Sequence, residues 1–94
     1  MEYIDVKWIH QDSKYPVRLV SELDESRYEI RKLEFFSRGE VGFASAGLHS
    51  DTTELGTAPV PPLDEINSSS EFLGAVISQL EFEKLWSAHG PKNA

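Results

Sequence analysis

The sequence contains no cysteine. Disulfides, thiolate metal sites and thiol catalysis are therefore excluded. It has no apolar run approaching the roughly 18 residues that a membrane-spanning helix requires. Basic residues are scarce, nine against 16 acids for a net charge of −7. That balance argues against a nucleic-acid binder, whose affinity comes largely from phosphate neutralisation. It also disfavours anionic membrane surfaces. The shortage is uneven. Residues 1–38 hold eight acids and seven bases, whereas residues 39–94 hold eight acids and only Lys84 and Lys92. A solvated acidic surface accounts for this excess by keeping the protein soluble, and a basic protein partner is compatible with it. No internal repeat or low-complexity tract divides the chain. Its 94 residues leave room for one core, so a single domain is expected over 1–94. Met1-Glu2-Tyr3 leads directly into strand-like sequence with no charged-then-apolar leader, and the expectation is a soluble cytoplasmic protein.

Residues 2–9 alternate with period two, so they read as a half-buried strand with Ile4, Val6 and Trp8 on its core side. Gln11 to Pro16 forms a polar turn. Val17, Leu19 and Leu23 then alternate with Arg18 and Glu22 as a hairpin partner. Arg27 to Phe36 is the longest strand candidate. Tyr28 and Ile30 share one phase, and Leu33 and Phe35 the other. The slip near Arg31-Lys32 indicates either a β-bulge or apolar contacts on both faces. Gly39 supplies the positive φ of a hairpin turn before a fourth strand at Val41–Phe43. The small residues Gly42 and Ala44 imply close packing on that strand's second face, with a helix the expected neighbour.

Residues 47–70 read as a long loop rich in glycine, proline, serine and threonine, of a length that usually means function or mobility. Pro62 to Ile66 has the marks of one helical turn. Phe72 to Ile77 is apolar and reads as a short fifth strand. Ser78 and Glu81 then form a capping box, with Ile77 and Phe82 at the staple positions. Phe82, Leu85, Trp86 and His89 share one helical face, and Gly90-Pro91 ends the helix. The expected fold is α+β: a four- to five-stranded, mainly antiparallel sheet with a C-terminal helix packed on one face.

Several segments carry a family resemblance. They are Tyr3 to His10, Pro16-Val17-Arg18-Leu19, Ser21 to Glu25, Arg27 to Lys32, Gly39 to Ala44, Pro59-Val60-Pro61, Glu65-Ile66-Asn67 and Glu81 to Trp86. Together they resemble a family of small bacterial proteins of unknown function, across nearly the whole chain. The resemblance implies a stand-alone bacterial cytoplasmic protein and carries no activity with it. Gly47 to Leu55 looks least like the family. Small acidic bacterial proteins of this kind are often immunity proteins, which neutralise a toxin; that is an analogy of class.

The chemical constellations are weak. His49-Ser50-Asp51 holds the residue types of a hydrolase triad. Adjacent residues do not normally converge into that relay, and no nucleophile-elbow motif accompanies them. His10, His49 and His89 lack metal-ligand spacing. Asp64-Glu65, and Glu22 with Asp24, sit where acids have structural reasons to be. The sheet's aromatics lack the basic groove that would make them a base-stacking platform. Neither a catalytic residue, a cofactor nor a metal is therefore expected. The leading expectation is a non-enzymatic protein-binding module, an immunity protein that sequesters a basic toxin. Its expected contact residues are Glu40, Asp51, Glu54, Asp64 and Glu65 as a charged rim, with Leu48 and Leu55 as apolar anchors. Two alternatives stay open. One is a small ligand-binding or enzymatic domain with a pocket between sheet and helix. The other is a homodimer formed through a sheet edge, in place of a monomer.

Overall fold

A computed structural model describes residues 1–92. The strands are β1 (Glu2–Trp8), β2 (Arg18–Leu23), β3 (Glu29–Phe35), β4 (Val41–Ser45), β5 (Leu48–His49) and β6 (Phe72–Val76). The helices are α1 (Leu63–Ile66), between β5 and β6, and α2 (Gln79–His89), which ends the fold. All six strands join one antiparallel sheet in the order β5-β4-β3-β2-β1-β6. The α+β class is as expected, with six strands in place of four or five. The additional one is β5, two exposed residues paired with Ala44 and Ser45. It carries too little alternation to stand out in the sequence.

Strand register assigns every side chain to one of two sheet faces, because successive residues point to opposite sides. Tyr3, Val20, Leu33 and Phe43 share the first face. Helix α2 covers it, with Phe82 fully buried against Tyr3, Val20 and Leu33, and Leu85 and Trp86 packed beside them. Burying Phe82 contributes about 2–3 kcal/mol. The capping box forms as the sequence indicates: the Ser78 hydroxyl accepts from the Glu81 N–H, and the Glu81 carboxylate accepts from the Ser78 N–H. Among the described residues no helix is long and apolar enough to cross a membrane.

Ile4, Val6, Ser21 and Leu23 occupy the second face. Helix α2 is therefore not on the side where the first strand's main apolar stripe lies. That stripe is covered by residues 50–71, which leave β5 at one edge of the sheet and return as β6 at the other. Val60, Leu63, Ile66 and Phe72 pack on Ile4, Val6 and Leu23. The close packing at Gly42 is also due to this segment rather than to a helix. A Cβ on Gly42 would lie 1.9 Å from the Thr53 hydroxyl oxygen, and Thr53 is fully buried. The bulge lies one residue before the expected slip. Glu22 pairs with Arg31 and Leu23 with Glu29, which leaves Ile30 as the extra residue.

The β6 edge is guarded. The Asn67 side chain donates to the Gly74 carbonyl (3.0 Å) and accepts from its N–H (2.6 Å), as a neighbouring strand would. The Phe72 N–H donates to the Ser69 carbonyl. Two of the outward-facing residues of this uncharged strand are thus engaged from within the chain, which opposes edge-to-edge pairing.

Two outcomes follow from this packing. Gly42→Ala is expected to destabilise the protein by about 1–3 kcal/mol in urea unfolding. Adding Thr53→Ala should restore part of that loss, and strictly additive effects would refute the contact. Asn67→Ala is expected to self-associate more strongly than the parent chain in sedimentation velocity at matched concentration. Identical sedimentation would show that the edge needs no guard.

Candidate functional site

A half-open cleft of about 350 Å³ lies between the second sheet face and the crossing segment. Ile4, Val6, Leu19, Ser21 and Glu29 form its floor, and Val60, Pro61, Ile66 and Phe72 its walls, with Glu65 and Ser69 completing the lining. The floor exists because β1 and β2 place alternate residues on this side. The wall is tied to the β2–β3 turn. Arg27 there has φ of 67°, a left-handed conformation uncommon for a residue with a side chain. Its guanidinium donates to the carbonyls of Val60 (2.8 Å) and Pro61 (2.9 Å) and pairs with Glu2. Its own carbonyl accepts from the Val60 N–H. Arg27 is therefore the clamp that positions the Val60-Pro61 wall.

Beside the floor sits a cluster of charge. Lys32 Nζ lies 3.1 Å from Glu29 and 3.8 Å from Glu34, and all three side chains are 10–13% exposed. Glu29 Oε1 also accepts from the Gly56 N–H at 2.6 Å, and Glu34 accepts from the Thr53 hydroxyl at 2.8 Å. In a regular strand, Glu29 and Lys32 would point to opposite faces. The extra residue at Ile30 brings them to the same one.

A second polar network lies under α2. The Tyr3 hydroxyl donates to Glu22 at 3.0 Å, and Arg31 donates to Glu22 at 2.6 Å and to Glu83 at 2.6 and 3.2 Å. The Arg31 guanidinium also lies over the rings of Phe82 and Trp86, 4.9 and 5.2 Å from their centres. Arg31's hydrogen bond holds the Glu22 carboxyl below the usual range, against the effect of burial and with help from Tyr3. Burial, and then the bond to Glu22, push the Tyr3 phenol up. Every member is engaged, and the network's work is to join helix to sheet.

The residues singled out in the sequence are dispersed. Glu40 lies just after the β3–β4 turn, and Leu48, in β5, is 44% exposed. Asp51 and Glu54 are exposed on the crossing segment, and Leu55 is half-buried there. Asp64 and Glu65 are exposed on α1, which packs beside β6. Strand order separates β4 from β1 by three spacings, roughly 14 Å, so Glu40 and Leu48 are not brought together with Asp64 and Glu65. Glu65 alone of the seven lines the cleft. The Ser50 hydroxyl is occupied by the backbone of Phe43, and His49 Nδ1 lies 2.7 Å from the Ser50 carbonyl oxygen. His49-Ser50-Asp51 therefore shapes the strand end. His10 accepts from the Asp12 N–H through Nδ1 and so donates from Nε2 to the Pro16 carbonyl. His89 packs edge-on against Phe35. Asp24 accepts from the N–H groups of Ser26 and Tyr28 in its turn, while Glu22 faces α2, so these acids do not converge. Among the described residues no group of three His, Asp or Glu side chains could hold a metal ion.

The cleft residues Leu19, Ser21, Glu29, Val60, Ile66 and Phe72 were not expected as site residues. The one signal for them was the phase slip in β3, which marks where the charged cluster turns onto the cleft face.

The fold is thus an α+β sheet with a helix on one face and a clefted covering segment on the other. Residues 2–91 match the family model described as a domain of unknown function (DUF6881), and the chain belongs to that family. No curated protein and no solved structure matches it.

Glu22 sets an acid limit on stability. Its folded value lies below the ordinary 4.5, so its contribution is complete above that pH and is lost as pH falls through the lower folded value. Glu22→Gln is expected to lose about 2–3 kcal/mol at pH 7. In urea unfolding from pH 7 to 3, it should also show a shallower decline than the parent. A parallel decline would remove Glu22 from the account.

Proposed function

We propose that this chain is a non-enzymatic protein-binding module that engages a basic partner through the cleft side of its sheet. The observation that carries the reading is the cleft itself: an apolar floor and wall with Glu29 and Glu65 in its lining and no basic residue there. Such a cavity suits an anchoring side chain with an apolar stem, and the acids in and around it suit a cationic partner. The net charge of −6 over residues 39–94 includes the whole crossing segment and so favours a basic surface. A bacterial immunity protein acting in the cytoplasm, which occludes a basic toxin, fits this chemistry. A small-ligand domain is the second reading, favoured by the volume of about 350 Å³. Its pocket would be the cleft, on the sheet face opposite α2.

The test is affinity capture from the native host at modest salt, with mass spectrometry. A single stoichiometric basic protein is expected. It should be released by salt and lost from the Glu65→Lys and Ser69→Trp variants, the second of which fills the cleft. A partner retained by both variants, or an empty column after cross-linking, would overturn the reading.

A further inference from the structure

The charged cluster beside the cleft does not balance. Glu29 and Glu34 contribute two carboxylates, and Lys32 contributes one ammonium between them. The formal sum is −1, on side chains that are about nine-tenths buried. The hydrogen bonds from Gly56 and Thr53 stabilise the carboxylates but bring no charge. Arg27, the other cation on this side, is committed to Glu2 and to the carbonyls of Val60 and Pro61. A buried unpaired charge is unfavourable, and a cation placed next to it recovers much of that loss.

The unpaired charge has access to one open space. Glu29 lines the cleft. Its bonds from Lys32 and Gly56 both fall on Oε1, so its second oxygen, Oε2, keeps its acceptor capacity. Ser21, beside Lys32 in the β2–β3 register, adds a hydroxyl to the same floor. The rest of the floor, Ile4, Val6 and Leu19, is aliphatic. Apolar surface ending at an anionic oxygen fits a cation on an aliphatic stem.

We propose that the cleft is an ammonium site, which takes the lysine side chain of a basic protein partner with its methylene stem over Ile4 and Val6 and its head group at Glu29. This inference rests on the binding role proposed above and names the anchor that role would use. The terminal ammonium donates to Glu29 Oε2 and to the Ser21 hydroxyl, and the complex neutralises the Glu29–Lys32–Glu34 cluster.

The experiment uses the isotope-labelled full chain and two probes of equal length, n-hexylamine and n-hexanol, followed by amide chemical shifts. Hexylamine is expected to shift residues around Ser21, Glu29 and Ile66. It should bind roughly tenfold tighter than hexanol, the difference between a charge-assisted and a neutral hydrogen bond. Glu29→Gln should abolish that preference. Glu34→Gln, which alters the cluster's charge without lining the cleft, should reduce it and leave hexanol binding unchanged; it also serves if Glu29→Gln fails to fold. Equal affinity for both probes, hexylamine shifts scattered over the acidic surface, or a preference that survives both substitutions would overturn the proposal. If hexylamine fails while Ser69→Trp still loses a captured partner, the ammonium site falls and the protein-binding role stands. If hexylamine binds as expected while no partner is captured, the cleft binds an ammonium group but the protein-lysine occupant proposed here is overturned.

Discussion

The connection from β5 to β6 governs this molecule. These strands lie at opposite edges of the sheet, so the chain between them must cross a full sheet face. A crossing segment cannot use the sheet's own ladder to satisfy its backbone, yet it must exclude water from Ile4, Val6 and Leu23. The solution is a series of tethers supplied largely by side chains. The Glu29 carboxylate receives the Gly56 N–H, and Arg27 holds Val60 and Pro61. At the far end Asn67 locks onto Gly74. At Gly42 the contact is steric, with Thr53 seated where a larger residue would have a side chain. These contacts are spread along the segment from Thr53 to Asn67.

The helix face follows a different logic. There an apolar core of Tyr3, Val20, Leu33 and Phe82 is bordered by a half-buried charged residue, Arg31, that is fully employed. Two carboxylates and two aromatic rings share its guanidinium, a combination the planar group can serve at once. A buried ion pair is poor evidence for net stability. Its value here is geometric: Glu83 comes from α2 and Glu22 from β2, so Arg31 fixes the helix's position over the sheet. The two faces thus divide the labour. One is closed and cross-linked, and the other retains open volume.

Much of this was legible in the sequence, and the parts that were not share a cause. Local signals were reliable: the alternation in β1, the glycine at the β3–β4 turn, and the Ser78–Glu81 box that starts α2. Each depends on residues within a few positions of one another. The six-stranded order, the face that α2 chooses and the route of residues 50–71 depend on pairs far apart in the chain. Tyr3 shows the difficulty. By alternation it belongs opposite the apolar stripe of Ile4, Val6 and Trp8, yet it is 7% exposed because a helix some 80 residues later covers it. The candidate site was hidden for the same reason. Glu29 and Glu34 read as ordinary strand acids until Thr53 and Gly56 are laid over them.

A cleft persists beneath the crossing segment, where a flexible loop would be expected to collapse onto exposed apolar surface. Two features oppose collapse. Pro59, Pro61 and Pro62 restrict φ over the part that forms the wall, so local sagging would require strained backbone. The wall is also held from outside, since Arg27 ties the Val60 and Pro61 carbonyls to the β2–β3 turn. Arg27 does this from a left-handed backbone conformation that costs on the order of 1–2 kcal/mol. That cost is offset by three donated bonds and by the packing the clamp permits around Leu63 and Ile66. A wall that is already in place need not be ordered when a ligand arrives, so binding free energy is not consumed in forming the site. The same tethers that solve the crossing problem therefore make the cleft a preorganised one.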